Sequence, residues 1–164
     1  MKTLLLIRHA KSGWENPELS DFDRPLSVRG LTDAPIMADR INKLLGKPDK
    51  IYSSSATRAK TTALFFADSF RIDADVIVFD KLFYDNYAKT VKKTISLLDN
   101  SINTVAFIGH NPDITSLATY FSGEYFENIP TCGVVCIDFD TDNWDRLLEM
   151  NGVIRFYEYP KKSF

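Results

Sequence analysis

Short apolar segments with the character of β-strands alternate four times with longer segments of helical periodicity along this chain. The first strand-like segment covers residues 3–7, and the first helical segment covers residues 31–45. Two parallel strands need a crossover connection between them, and a helix is the usual crossover. This order therefore predicts an α/β fold with three layers, α/β/α, in which helices cover both faces of a mostly parallel sheet of about six strands.

The chain closes with two strand-like segments in succession, without a helical segment between them. The predicted strands are residues 3–7, 50–53, 75–79, 104–108, 134–139 and 152–159, and the predicted helices are residues 31–45, 54–70, 87–98 and 113–121. Because only a turn around residues 142–144 joins the last two strands, we expect at least one antiparallel strand near the edge of the sheet. Pro35 predicts either a kink in the first helix or a first turn at residues 27–33 followed by a second start.

Length, composition and charge limit the classes of protein that this chain can represent. Its 164 residues, 45% hydrophobic and 26% charged, predict a single domain over residues 1–164. The net charge of -2 argues against a nucleic-acid partner, which usually selects a strongly basic face. No apolar run approaches the roughly 18 residues that a membrane span requires. The apolar start is also too short for a secretory signal, so a cytoplasmic location is expected.

The few cysteines and histidines argue against a metal centre. Cys132 and Cys136 are the only cysteines. In a strand they would lie roughly 13 Å apart, too far for a disulfide, so reduced thiols are expected. With two histidines in the chain and no close cluster of cysteine and histidine, we predict neither a metal ion nor a cofactor.

Unusual polar residues stand where three of the predicted strands end. Arg8 and His9 follow the first strand, Arg58 lies in the first turn after the second, and His110 follows the fourth. In open α/β sheets, ligands bind beyond the carboxyl ends of the strands. We therefore expect these four side chains to line one pocket.

Each of these residues also has an ordinary structural interpretation. His9 could be a solvent-exposed strand end, and His110 could belong to the start of a helix, where Asn-Pro is common. Arg58 could be a solvated helix residue, and Arg24 could simply pair with one of the aspartates just before it. The functional interpretation rests on their convergence at one edge of the sheet.

Two arginines and two histidines in one pocket suit a tetrahedral dianion. The planar guanidinium group matches phosphate oxygens in pairs and stays charged. Helix N-termini beyond the strands add N–H donors. A neutral histidine brings a lone pair that can attack phosphorus. The residues therefore indicate phosphoryl transfer through a phosphorylated histidine.

Four segments of the sequence, LLLIRHAKS, DFDRPLSVRG, SSSATRAKTTA and GHNP, occur in this order. Together they resemble the histidine phosphatase superfamily, which includes phosphoglycerate mutase. In so short a chain they are most similar to the SixA-type phosphohistidine phosphatases. The resemblance covers residues 3–139 and implies a phosphoglycerate-mutase-like fold with metal-independent phosphatase activity.

The resemblance also implies a role for each matching residue. His9 would be the nucleophile that becomes phosphohistidine. Arg8 and Arg58 would bind the phosphoryl oxygens. His110 would donate a hydrogen bond to the transferring group, and Arg24 would add a further oxygen contact.

The sequence departs from the family pattern at the general acid. Larger relatives carry a glutamate after the third strand, whereas FDKLFYDNYAK has none, and only Asp85 or, less well placed, Asp80 could replace it. Asp85 could equally be an ordinary polar residue at a helix start. An alkoxide leaving group needs a proton more than an imidazole does, so a missing acid favours phosphohistidine over phosphate esters and disfavours a mutase.

The expected function is hydrolysis of phosphohistidine on a phosphorylated protein. A short connection after the third strand leaves little room for a lid, which suits an open pocket and a protein substrate. Two alternatives stay open: a phosphate- or phosphoprotein-binding module without turnover, and a phosphatase of small phosphoesters. The sequence does not indicate the oligomeric state.

Overall fold

The computed structural model describes residues 1–162, so residues 163 and 164 of the predicted domain lie outside the described part. The strands are β1 (Lys2–Arg8), β2 (Lys50–Ser54), β3 (Ile77–Asp80), β4 (Thr104–Gly109), β5 (Val134–Phe139) and β6 (Val153–Glu158). The helices are α1 (Val28–Leu45), α2 (Thr57–Phe70), α3 (Leu82–Asp85), α4 (Tyr87–Leu97) and α5 (Asp113–Ser122). Short 3-10 segments lie at Asp21–Asp23, Ala74–Val76 and Trp144–Glu149.

The described strands form one sheet in the spatial order β3-β2-β4-β1-β5-β6. The first four strands of the chain are parallel, and β5 runs antiparallel to both β1 and β6. This arrangement confirms the predicted α/β class, with its antiparallel strand next to the edge. In the register of β1 and β4, Arg8 lies opposite Gly109. The two histidines that follow these residues therefore emerge at the same edge of the sheet.

The central strand β1 sends alternate side chains into two apolar layers. Leu5 and Ile7 belong to the cluster that α1 and α2 cover, and Leu4 and Leu6 belong to the cluster that α4 and α5 cover. All four side chains are fully buried. Because helices cover both faces of the sheet, the sequence of β1 has a continuous apolar run rather than an alternation of apolar and polar residues.

Some element boundaries differ from the predicted ones. The helix α1 is continuous through Pro35 and begins after Ser27, whose hydroxyl accepts a hydrogen bond from the Gly30 N–H. The predicted second start is therefore wrong. The helix α2 begins at Thr57 rather than at residue 54, because Ser54 still pairs with Asp80 in the sheet.

Cys132 and Cys136 are free and buried, as predicted. Burial raises the pKa of both thiols, so neither is a reactive thiolate. Within residues 1–162, no cluster of three or more acidic, cysteine or histidine side chains could hold a metal ion. No helix in the same range is long and apolar enough to cross a membrane.

Candidate active site

Backbone pairing at the ends of β1 and β4 fixes the positions of the two histidines. The His9 N–H donates to the carbonyl oxygen of Gly109 at 3.0 Å, which ties the segment after β1 to the end of β4. At Gly109 the ring of Tyr87 packs directly on the backbone, and a Cβ there would lie 2.1 Å from Tyr87 Cε2. A side chain at this position would therefore displace the strand end that carries His110.

The imidazole of His9 is held in one tautomer. Its Nδ1 lies 2.7 Å from the carbonyl oxygen of Ala10. Because a carbonyl oxygen can only accept, Nδ1 carries the proton and Nε2 carries the lone pair. Arg58 Nε lies 3.4 Å from that Nε2 and donates toward it.

Burial keeps the His9 ring neutral. The pKa of His9 is lowered to about 3, mainly by desolvation; the hydrogen bond to Ala10 acts in the opposite direction, and the neighbouring His110, Arg58 and Arg8 add to the lowering. The ring is therefore neutral at neutral pH, with a lone pair on Nε2 that is chemically able to act as a nucleophile.

The second imidazole, His110, lies beside the first, with the ring centroids 5.2 Å apart. Its Nε2 lies 2.8 Å from Ser54 Oγ. Burial lowers the pKa of His110 to about 4, and the positive charges of Arg58 and Arg8 act in the same direction. This ring is therefore also neutral at physiological pH.

Asp21 organises the arginines around the two rings. Its Oδ2 accepts hydrogen bonds from Arg58 Nη2 at 2.9 Å and from the Tyr84 hydroxyl at 2.7 Å, and its Oδ1 lies 3.2 Å from Arg24 Nη2. Burial alone would raise the pKa of Asp21, but the bonds from Tyr84 and Arg58 outweigh it and lower that pKa. Asp21 is therefore an ionised counter-ion that orients two arginines.

Several buried side-chain nitrogens at this edge have no hydrogen-bond partner in the described protein. They are Nε of Arg8, Nε and Nη1 of Arg24, and the remaining ring nitrogen of His110, Nδ1. An unpaired buried polar group costs about 1–3 kcal/mol, so such groups are rare. A concentration of them on three neighbouring side chains indicates a site built for a ligand with several acceptor oxygens.

The same side chains line a cavity of about 270 Å³. Its lining includes five of the six residues predicted for the site: Arg8, His9, Arg24, Arg58 and His110. Trp14 also lines it; this side chain is 73% exposed, and its ring centroid lies 3.5 Å from Arg24 Cζ. Within residues 1–162, the lining holds no carboxylate. The cavity is therefore a cationic pocket that contains two neutral imidazoles.

Comparison with known proteins identifies the family. Residues 4–82 match the family model of the histidine phosphatase superfamily (branch 1). The structure superimposes on a SixA protein from Agrobacterium tumefaciens with a TM-score of 0.82 and 28% identity, over 97% of this chain and 99% of that one. The chain belongs to the histidine phosphatase superfamily. Within that superfamily it is of the SixA type.

Two further proteins are similar to this chain, one in fold and one in sequence. A SixA protein histidine phosphatase complexed with tungstate shares the fold, with a TM-score of 0.80 and 20% identity over 96% of this chain and 97% of that one. An uncharacterized chloroplastic protein of Arabidopsis thaliana is 30% identical over 161 residues, which cover 92% of this chain and 72% of that protein. Membership of the histidine phosphatase superfamily supports phosphatase activity.

In this histidine phosphatase, the remaining predicted residue is not brought into the cavity. Asp85 lies exposed at the end of α3 and is not among the lining residues. Asp80, the poorer candidate, accepts a hydrogen bond from the Leu82 N–H and starts that helix. Neither carboxyl group is therefore part of the cavity lining, although Tyr84 of the same short helix packs against the His110 ring, with the ring centroids 5.5 Å apart.

Two members of the arginine network were not predicted as site residues. Asp21 was considered only as an ion-pair partner of Arg24, and its i,i+3 spacing to Arg24 was the available signal. Tyr84 joins Asp21 across 63 positions of the chain, a contact that no local pattern in the sequence indicates.

Proposed function

We propose that the protein hydrolyses phosphohistidine on a phosphorylated protein through a covalent intermediate on His9, without a metal ion. In the first step, the Nε2 lone pair of His9 attacks phosphorus and the P–N bond to the substrate ring breaks. That ring already carries a proton from solvent on its other nitrogen, so it keeps the electron pair of the broken bond and leaves as neutral imidazole. In the second step, water attacks the phosphorylated His9, which releases inorganic phosphate and restores the ring.

The observation that carries this proposal is the fixed tautomer of His9. The Ala10 carbonyl oxygen holds the proton on Nδ1, so the nucleophilic Nε2 is the nitrogen that lies near Arg58 Nε. A nucleophile with a pKa of about 3 needs no base to remove a proton before it attacks. The ring is ready to react as it stands.

The polar side chains around the cavity meet the second requirement of the reaction, which is to bind the phosphoryl oxygens. Arg8, Arg24 and His110 line the cavity, and each has a buried side-chain nitrogen without a hydrogen-bond partner within residues 1–162; Arg58, which also lines the cavity, donates through Nε toward His9 Nε2. In phosphoryl transfer, charge is spread over the equatorial oxygens, and fixed donors in a water-poor site stabilise it. These donors also allow binding without a metal ion.

The leaving group distinguishes phosphohistidine from phosphate esters. No carboxylate lines the cavity within residues 1–162, and Asp21 is ionised as a counter-ion, so it is a poor proton donor. An ester would have to expel an alkoxide into this site. A protonated phosphohistidine ring expels an imidazole, whose conjugate acid has a pKa of about 6.5. The site therefore favours P–N over P–O cleavage.

The surroundings of the cavity suit a phosphoryl group carried by a protein. Only Lys81 separates β3 from α3, so this connection is too short to form a lid over the pocket. A groove of about 630 Å³ between α5 and the segment before β5 meets the cavity at Asn111, which lines both. Within residues 1–162 its lining has no arginine, lysine or histidine, so it leaves room for a polypeptide rather than for a second phosphate.

A rate comparison tests the substrate class. The purified protein is mixed with a phosphohistidine-bearing protein, a phosphoserine peptide and sugar phosphates, with and without a chelator. We expect cleavage of phosphohistidine to be faster than that of either ester by about 100-fold or more and to be insensitive to the chelator. Faster cleavage of a sugar phosphate would instead support the small-phosphoester phosphatase.

Trapping the intermediate tests the nucleophile. Rapid quenching of the wild-type protein with labelled phosphohistidine substrate should leave an acid-labile phosphate on the chain. His9→Ala should lose both the label and turnover while keeping the fold. His110→Ala should still accept the label, more slowly, because Nε2 of His9 remains. A protein that binds phosphate without turnover would form no label, and His9→Ala would then change nothing.

A further inference from the structure

A buried serine at the end of β2 contacts the second histidine from outside the cavity. Ser54 is fully buried, and its Oγ lies 2.8 Å from His110 Nε2. The same Oγ accepts a hydrogen bond from the Ala56 N–H at 3.1 Å. Ser54 is not among the residues that line the cavity, so this contact holds the ring from its outer side.

Two proton arrangements are compatible with this contact. In one, the Ser54 hydroxyl donates to Nε2 of His110, and the ring proton is on Nδ1. In the other, Nε2 carries the proton and donates to Ser54, whose oxygen then accepts twice. The second arrangement leaves the Ser54 O–H unpaired in a fully buried position, and it leaves a lone pair on Nδ1.

The two proton arrangements also differ in how well they suit a phosphate ligand. Nε2 is occupied by Ser54, so Nδ1 is the ring nitrogen of His110 that remains for a ligand in the cavity. A lone pair on Nδ1 would face phosphoryl oxygens, which are also acceptors. A proton on Nδ1 would pair with them. In the first arrangement, every polar group at the Ser54–His110 contact therefore has a hydrogen-bond partner. The remaining Nδ1–H donates to a phosphoryl oxygen when the ligand binds.

We propose that Ser54 is a positioning residue that donates to Nε2 of His110 and thereby keeps the proton on Nδ1 for the phosphoryl group. The tautomer assignment stands on the contacts alone, and its use in catalysis rests on the proposed function.

The two histidines then share a tautomer but present opposite edges to the cavity. In His9, the Ala10 carbonyl oxygen accepts from Nδ1–H, and the Nε2 lone pair is free to attack. In His110, the Ser54 hydroxyl donates to Nε2, and Nδ1–H is free to donate. The neighbour of His9 is thus an acceptor, and the neighbour of His110 is a donor. This difference makes one imidazole the nucleophile and the other the hydrogen-bond donor.

Ser53→Ala is a matched control for Ser54→Ala. Both serines are adjacent and fully buried, and both substitutions remove one hydroxyl. The hydroxyl of Ser53 donates to the Ser54 carbonyl oxygen at 2.9 Å rather than to a histidine. A general effect of losing a buried hydroxyl should therefore appear in both variants, and an effect through His110 only in Ser54→Ala.

Nitrogen-15 NMR of histidine-labelled protein near neutral pH reads the tautomer directly. The chain has two imidazoles, and His9→Asn identifies the signals of His9. We expect His110 to be the Nδ1–H tautomer in the wild-type protein and in Ser53→Ala, and to shift toward Nε2–H in Ser54→Ala. An Nε2–H tautomer in the wild-type protein would overturn the proposal, even if Ser54→Ala does not fold. An unchanged tautomer in a folded Ser54→Ala would also overturn it.

Kinetics on an activated aryl phosphate test the consequence for turnover. We expect Ser54→Ala to lower kcat by about 10- to 100-fold, as loss of a partner that orients a catalytic ligand commonly does, with a smaller change in KM. Ser53→Ala should stay close to wild type. Equal kcat in the two variants would contradict the catalytic part of the proposal. Absence of turnover in the wild-type protein would overturn the proposed function, while the NMR result would still decide the role of Ser54.

Discussion

Each end of β1 holds a cation, but the two ends differ in how that cation is paired. At the start, Lys2 is 1% exposed, and its Nζ donates to the carbonyl oxygens of Asn100 and Ile102 and to Oδ1 of Asn103. Its three protons therefore have three partners. At the end, Arg8 donates through Nη1 to the Ile129 carbonyl oxygen, and its buried Nε has no hydrogen-bond partner within residues 1–162.

From this difference we infer a structural role for Lys2 and a functional role for Arg8 on the same strand. Burial of a charged group is tolerated when every donor is paired, and the Lys2 end meets that condition. The Arg8 end does not, and its neighbours Arg24 and His110 also carry unpaired donors. Unsatisfied donors lower stability, so their persistence at one end of β1 indicates that a ligand pairs with them.

Replacing the cation at the cavity end should give the largest effect, and it should fall on activity. We expect Arg8→Met to lower kcat on an activated aryl phosphate by about 10²–10³-fold, the usual loss when one fixed donor to a transition-state oxygen is removed. The free energy of unfolding should change by less than about 1 kcal/mol, because the lost bond to Ile129 is offset by removal of a poorly paired charge. Steady-state kinetics and denaturant unfolding measure the two quantities.

Arg155→Met is the control for Arg8→Met. Arg155 lies on β6, and its Nε donates to Asp138 Oδ2 at 2.7 Å in a partly exposed pair. This variant should keep the kcat of the wild-type protein. The comparison of the two ends would fail if Arg8→Met retained wild-type kcat, or if it unfolded the protein as readily as loss of a core residue does.

Proton uptake should also distinguish the ends of β1, since both imidazoles of the chain lie at the cavity end. The folded-state pKa values are about 3 for His9 and about 4 for His110, whereas an unfolded histidine titrates near 6.5. Between these values the unfolded chain binds two protons that the folded protein does not. Stability is therefore full above about pH 6.5 and declines as the pH falls below it.

Denaturant unfolding measures this decline. From about pH 7.5 to 5.5 the free energy of unfolding should fall by about 2–3 kcal/mol, the sum for two histidines, in a range where most carboxyl groups do not titrate. His9→Asn and His110→Asn should each remove about half of the decline. A flat profile would show that the rings bind protons as readily in the folded protein as in the unfolded chain, and it would contradict the lowered pKa values of His9 and His110.

Much of the fold could be predicted because the buried strands are continuous apolar runs. The predicted bounds of β1 and β4 lie within one residue of the observed ones, and those of β5 coincide with them. The start of α2 could not be predicted, because Ser54 belongs to the sheet through its pairing with Asp80 in a strand that comes later in the chain. Local propensity carries no information about that partner.

The candidate site also has one part that could be predicted from the sequence and one part that could not. Residues directly after strands, such as His9 and His110, were placed by topology alone, because parallel strands bring their carboxyl ends to one edge. The orientation of Arg58 depends on Asp21, and that of Asp21 depends on Tyr84. These contacts join three separate segments, and their geometry follows from packing that the sequence pattern does not reveal.

Replacing the cation at the opposite end of β1 should give the smallest effect, and it should fall on stability. Lys2→Met keeps an aliphatic chain beside the Trp144 ring but leaves three acceptors without their donor. We expect a loss of about 1–2 kcal/mol in the free energy of unfolding, because the acceptors lie close enough to the surface to recover some hydration.

Lys47→Met, at an exposed position, is the control for Lys2→Met and should leave the free energy of unfolding nearly unchanged. The kcat of Lys2→Met, measured where the protein stays folded, should equal that of the wild type. A loss of kcat in folded Lys2→Met would mean that β1 transmits changes from one end to the other. The unpaired donors at Arg8 would then owe their positions to the packing around Lys2, and the division into a structural and a functional end would not hold.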